Sequence, residues 1–213
     1  SLLPLPSSIV GQEGMTEFDE GHQKLQRVAA EIRRCRLCPL HETRTNAVPG
    51  AGPVDADIFF LGEAPGARED EQGFPFVGAS GRFLNHLLES MSKLCDVSRD
   101  SVFISNVVKC RPPDNRTPHV DEVAVCAGYL DRQLELIQPR LIVTLGRFAM
   151  ERFFPGERIS EIHGQPRRIN NVVILPLYHP AAALYRGSLR SVIEDDFKRI
   201  AQLLERTERT SSR

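Results

Sequence analysis

No apolar run in this chain approaches the roughly 20 residues a membrane-spanning helix needs, and no apolar leader segment opens it. The sequence therefore predicts a cytoplasmic protein with no membrane partner. Excess charge is also missing. Lys and Arg total 27 against 28 Asp and Glu, a formal net charge of −1, so the chain is no polycation. A nucleic-acid partner would have to be held by local basic patches and main-chain N–H groups. Lysine is scarce, at Lys24, Lys93, Lys109 and Lys198 alone, so the basic residues are overwhelmingly arginine. That suits bidentate phosphate contacts; a GC-rich genome or a heat-adapted source would produce the same bias. The dinucleotide fingerprint G-x-G-x-x-G is absent, and there is neither an internal repeat nor a domain-scale linker.

What remains is of ordinary globular composition, 41% apolar and 26% charged in 213 residues, room for one domain and its tails. Residues 1–19 read as a flexible extension, rich in Pro, Ser and Gly at its start, with Met15 a candidate natural start. Residues 20–206 read as the domain and 207–213 as a tail. Helical spacing marks Glu20–Arg34, Gly81–Leu94, Val120–Ile137, Arg147–Phe154 and Ser191–Arg206. Short apolar strands are predicted at Asp57–Leu61, Ser101–Val108, Leu141–Leu145 and Val172–Leu177. Strands alternating with helices at this pitch predict an α/β protein, three layers with a central four-stranded, mainly parallel sheet. In such sheets ligands bind beyond the carboxyl ends of the strands.

Five cysteines in an unsignalled chain argue for metal ligation or plain burial over a disulfide scaffold. Cys35 and Cys38 form a C-x₂-C pair at a helix end. Cys110 follows the second strand, and Cys126 lies in the next helix, which can fold back toward the first pair. Cys95 has no partner and reads as a buried small hydrophobe. Four thiolates suit either zinc or an iron–sulfur cluster. Zinc ribbons usually show two C-x₂-C knuckles, and only one is present. Spacing alone leaves the two metals near even odds, with unliganded burial a distant third.

The loop after the first strand reads Gly62-Glu63-Ala64-Pro65-Gly66-Ala67-Arg68-Glu69-Asp70 and continues to Gly73-Phe74-Pro75-Phe76-Val77-Gly78. After the last strand comes Tyr178-His179-Pro180-Ala181. Between them stands Ser105-Asn106-Val107-Val108-Lys109-Cys110-Arg111-Pro112-Pro113. In these motifs, in their order, and in its four cysteines the chain resembles the family-four, iron–sulfur uracil-DNA glycosylases of bacteria and archaea. The resemblance runs from about Cys35 to Ile200. It implies the uracil-DNA glycosylase fold and a [4Fe–4S] cluster on Cys35, Cys38, Cys110 and Cys126. It further implies hydrolysis of the N-glycosidic bond of uracil in single- or double-stranded DNA, by a monomer associated with the nucleoid.

The same resemblance distributes roles. Phe76 would stack on the extruded base, and the Asn106 amide would read uracil's N3–H and O4. His179 would hydrogen-bond O2 as negative charge grows there. The backbone of Gly62, Glu63 and Ala64 would line the opposite side. Better-known relatives carry a water-orienting Asp just after the first glycine; Glu63 and Ala64 stand there instead. Glu63 and Glu69 are thus the candidates for positioning water or stabilising the cation, with Glu69 alternatively guarding against thymine's methyl group. Leu184 or Tyr185 would fill the vacated stack, and Arg186, Ser188 and Arg190 would contact phosphates. Arg111 and Arg116 are further basic candidates. The competing readings are a repair enzyme of different base range, a non-catalytic iron–sulfur DNA-binding module, and a zinc-binding structural protein.

Overall fold

The structure, a computed structural model, describes residues 16–207. The expected extension up to residue 15, Met15 included, and the tail from residue 208 lie outside the described residues. Residues 16–19 are not part of an extension. Thr16 accepts the Asp19 N–H while Asp19 returns to the Thr16 N–H, a capping box that starts helix α1 (Glu17–Arg34) three residues before the apolar period predicts.

Three strands consist wholly of buried residues: β1 (Ile58–Gly62), β2 (Phe103–Asn106) and β3 (Leu141–Leu145). With β4 (Arg167–Ile169) and β5 (Val172–Leu177) they give the order β2-β1-β3-β5-β4, parallel except for β4. The sheet thus has five strands, not four. The extra strand pairs with β5 through a turn at Asn170-Asn171, where Asn170 adopts φ 52°, a conformation asparagine tolerates. β4 carries no apolar run to betray it. Arg167 and Arg168 are exposed on the sheet edge, where charge discourages pairing with another chain.

Side chains alternate across the sheet, which is why helices cover both faces. Ile58 and Phe60 of β1 enter one core with α4 (Ala79–Met91) and α9 (Leu189–Arg206), where Phe60 stacks on Phe197 at 5.9 Å. Phe59 and Leu61 enter the other core with α5 (Val120–Ile137) and α6 (Arg147–Glu151). Each such fully buried side chain contributes about 1.5–3 kcal/mol. The remaining helices are single turns or little more: α2 (Leu40–Thr43), α3 (Ala67–Gln72), α7 (Ile159–Ile162) and α8 (Pro180–Tyr185). No described helix is long and apolar enough to cross a membrane. The chain runs from β1 to β2 on one side of the sheet and then returns to β3 on the other. That reversal opens a crevice at the carboxyl ends of β1 and β3.

Candidate active site and cysteine pocket

At the ends of β1 and β2 the register sets Gly62 directly beside Asn106. A methyl group on Gly62 would lie 2.4 Å from Asn106 Oδ1 and 2.8 Å from the Phe76 ring. Only glycine lets strand, amide and ring meet here. Asn106 is 2% exposed, and its Oδ1 has no hydrogen-bond partner. An unsatisfied buried polar atom costs about 1–3 kcal/mol, so one retained in a cavity wall marks a place where a ligand supplies the missing partner.

Phe76 holds its ring from a left-handed backbone, φ 52°, a costly conformation for a bulky residue. Three contacts enforce it. Glu69 Oε1 accepts the N–H groups of Val77 and Gly78, both at 2.8 Å. Arg99 donates to the Pro75 carbonyl at 2.6 Å. Gly81 lets α4 pass so close that a Cβ there would reach within 1.9 Å of the Phe76 carbonyl oxygen. With Oε1 committed to the loop, Glu69 keeps Oε2 for any other task.

His179 follows β5 and caps α8. Its Nδ1 accepts the Ala181 N–H at 3.1 Å, which puts the ring proton on Nε2. The imidazole stacks on Phe76, with centroids 5.5 Å apart and planes 26° from parallel. Burial pushes its pKa down to about 4, and Glu69 opposes this only in part. At neutral pH it is an uncharged donor.

Glu63, Ala64, Glu69, Phe76, Asn106 and His179 share the wall of one cavity of about 430 Å³, within the range of small-molecule sites, roughly 300–1,000 Å³. Gly62 lies beneath it. Burial raises the Glu63 carboxyl while Arg147 pulls it back. The loop carrying Glu63 is pinned to the next one, Val107 N–H to the Gly62 carbonyl at 2.9 Å and Val108 N–H to that of Glu63 at 3.2 Å.

Of the residues expected to grip DNA, none of Leu184, Arg186, Ser188 and Arg190 lines the cavity; Tyr185 does. Leu184 and Tyr185 stand exposed at the end of α8. Arg186 and Ser188 are exposed beyond them. Arg190 is already engaged: it pairs with Glu194 at 3.0 Å and covers the Phe83 ring at 4.8 Å. Arg111 bonds Asn115 Oδ1 at 2.8 Å. Arg116 lines the cavity mouth, held in a two-pronged bond to the buried Glu122 at 2.9 and 2.7 Å. Ser80, in the first turn of α4, also faces the cavity; a lone serine carries no sequence signal.

Sequence reading missed Lys109. It is 1% exposed and donates to Ser105 Oγ, Asn106 O and Gln133 Oε1 at 2.7, 2.8 and 2.7 Å. Burial lowers its pKa to about 8. A single lysine among Asn-Val-Val and Cys-Arg-Pro was the available clue, since a charge beside a buried strand needs partners.

Cys35, Cys38, Cys110 and Cys126 line a single small hollow between α1, α2 and α5; Cys95 lies elsewhere, against α4. All five thiols are free of disulfides. Among the described residues no set of three or more His, Cys, Asp or Glu side chains is arranged to hold a metal ion. One of the four sulfurs nevertheless has a charged donor. Arg44 reaches Cys110 Sγ at 2.8 Å. Tyr129 lines the same hollow beside the four thiols. Burial pushes the Cys110 thiol up to about 11.

The profile of the Uracil DNA glycosylase superfamily matches residues 49–205. That span holds every cavity residue together with Cys110 and Cys126, and begins after Cys35 and Cys38. The curated type-4 uracil-DNA glycosylase of Sulfurisphaera tokodaii is 45% identical over 188 residues, 84% of each chain. That of Archaeoglobus fulgidus is 46% identical over 190 residues, 85% of this chain and 94% of its own. That of Thermotoga maritima is 39% identical over 184 residues, 84% and 94% respectively.

Proposed function

The chain belongs to the uracil DNA glycosylase superfamily, and from that premise we propose that it is a base-excision repair enzyme that hydrolyses the N-glycosidic bond of uracil in DNA. The observation that carries this is the partnerless Asn106 Oδ1 in the wall of a cavity roofed by Phe76 and His179. The Asn106 oxygen accepts uracil's N3–H, and its amide nitrogen donates to O4. Cytosine presents the inverse pattern at N3 and C4 and leaves the buried amide mispaired, a strong penalty.

The base must first leave the stack. Phe76 then covers its face. As the glycosidic bond lengthens, the sugar becomes oxocarbenium-like and negative charge gathers on the pyrimidine. The neutral His179 donates from Nε2 to O2 as that charge grows. Such a donor, positioned in advance, is typically worth about 10²- to 10³-fold in rate. The N–H groups of Glu63 and Ala64 are the donors on the opposite side. Water then adds to C1′, releasing free uracil and leaving an abasic site. Glu63, raised by burial, is the carboxylate best suited to orient that water. Glu69 acts mainly through the loop it holds. Every cavity residue comes from one chain, so a monomer suffices.

Cys35, Cys38, Cys110 and Cys126 hold a [4Fe–4S] cluster in this reading. The donor set supports it: four thiols from three segments line one hollow, and Arg44 donates to the Cys110 sulfur, as outer partners of cluster ligands do. When bound, the cluster ties α1 and α2 to the loop and helix that follow Asn106. Arg186 and Ser188, with the tip of α8, meet the DNA backbone and the gap left by the extruded base.

The test is a glycosylase assay on single-stranded and duplex oligonucleotides carrying one uracil. Wild type should leave an abasic site, and His179→Ala and Asn106→Ala should slow it by at least about 10²-fold. A well-folded wild type that releases no uracil would overturn the reading.

A further inference from the structure

A second hollow, of about 850 Å³, lies on the other side of α3 from the uracil cavity. Arg33, Arg34 and Arg36 line it with His41, and Phe74 and Gln72 close its far rim. None of the three arginines makes an ion pair among the described residues, whereas ten other described arginines do. All three are exposed. Asp70, close to the floor, is 4% exposed and spent on the N–H groups of Thr45 and Asn46, and Glu31, which feels the Arg34 charge, is itself paired with Arg132. In a chain of net charge −1, this is positive charge without ion pairs gathered in one concavity. Phe74 stands on its rim 59% exposed, an apolar ring with no protein surface to cover.

The hollow is tied to the first cavity by short covalent paths. Phe74 is two residues from Phe76, which limits their separation to about 7 Å. The six residues of α3 carry the chain about 9 Å, from the cavity wall at Gly66 and Glu69 to the hollow at Gln72. Successive phosphates of one strand are about 3.4 Å apart along a duplex axis and farther apart when stretched. A strand whose uracil occupies the first cavity therefore reaches the second within two or three nucleotides.

We propose that the Arg33–Arg34–Arg36 hollow is a docking groove for the DNA strand flanking the extruded uracil, with Phe74 as a stacking platform for an unpaired base. Guanidinium groups take the phosphates, and an exposed aromatic face takes a base of any identity. The occupant is single-stranded or locally opened DNA, because a paired base hides its face from Phe74. Ala181, Ala182 and Tyr185 of α8 line the uracil cavity as well, so groove and α8 give the strand two separate holds. The inference rests on the glycosylase reading of the adjoining cavity.

The experiment compares Arg33→Ala/Arg36→Ala with a control of equal charge change away from the hollow, Arg158→Ala/Arg168→Ala, at the start of α7 and on the edge strand β4. Anisotropy of a labelled, uracil-free single-stranded 20-mer is measured against salt, and uracil release from the matching uracil 20-mer is followed alongside. The groove variant should weaken binding roughly tenfold and flatten the salt slope by about 1.4, two phosphate contacts at about 0.7 each on a single strand. Its rate at saturating DNA should stay within about twofold of wild type. Phe74→Ala should weaken the single strand at least about fivefold and the duplex much less. Equal affinity and slope in the groove variant and the control would overturn the proposal. If no variant releases uracil while the groove variant still loses affinity, the groove stands and the glycosylase reading falls.

Discussion

The side-chain nitrogen of Lys109 lies 2.8 Å from the main-chain oxygen of Asn106, inside the protein and one residue before Cys110. The same ammonium holds Ser105 and Gln133, and Gln133 in turn donates to the Pro49 carbonyl at 2.6 Å. The strand end that presents Asn106 is thus fixed from below by a buried cation. Lys109→Met removes the donor from three acceptors, of which Gln133 Oε1 keeps Ser105 Oγ, and each one left unsatisfied costs about 1–3 kcal/mol before relaxation. We expect a lower melting temperature and at least a tenfold loss in kcat/KM. The loss should fall more heavily on uracil than on binding of uracil-free DNA, since Asn106 reads only the base. Single-turnover rates and anisotropy on the same variant separate the two; equal losses would mean a general unfolding of the loop.

His179 makes stability depend on acid. Above pH 6.5 it is neutral in the folded and the unfolded chain, and its burial carries no ionisation cost. Below that, the unfolded chain takes up a proton that the folded ring refuses until about pH 4. Stability is therefore lost as pH falls through this window, by at most about 1.4 kcal/mol per unit and about 3 kcal/mol in all. Urea melts between pH 4.5 and 7 should show a shallower acid slope in His179→Gln than in wild type. Identical slopes would show that the ring is not buried neutral.

Gly62→Ala tests the contact among strand, amide and ring. The added methyl group meets Asn106 Oδ1 and the Phe76 ring inside 3 Å, distances no relaxed core accepts. Neither neighbour has room, since Asn106 is buried and Phe76 is fixed by Glu69 and Arg99. The variant should fold, with a cost of about 1–3 kcal/mol, and lose uracil release by more than about 10²-fold. Near-normal activity would show that the amide and the ring do not bound the base.

The middle of the sheet was legible because parallel, doubly covered strands must be apolar throughout, as Ile58–Gly62 and Leu141–Leu145 are. β4 was not, because an exposed edge strand favours charge, and Arg167-Arg168-Ile169 reads as a loop. The cavity residues were found through their motifs, not their chemistry: by periodicity Phe76 is core and Asn106 a turn residue. Glu69 has a second task that its motif does not show. A carboxylate in a glycine-rich loop looks wholly free to meet substrate, but the loop's own N–H groups take one of its two oxygens. The Arg33–Arg34–Arg36 hollow was invisible because Phe74 reaches it only through the fold.

The cysteine hollow makes the last prediction. If iron and sulfide are bound by Cys35, Cys38, Cys110 and Cys126, the purified protein is brown and contains about four of each per chain. Arg44 donates to Cys110 Sγ and to the carbonyls of Arg33 and Cys35 at 3.1 and 2.7 Å, linking both halves of the thiol set. Arg44→Met should keep the colour but bleach faster under oxidant or chelator, as loss of an outer partner typically weakens metal affinity about 10- to 100-fold. Cys110→Ser should lose colour and, because Asn106 lies four residues upstream on the same pinned segment, lose uracil release as well. A colourless wild type with one zinc per chain would replace the cluster by zinc. A Cys110→Ser protein as active and as stable as wild type would remove the thiols from any part in holding the pocket.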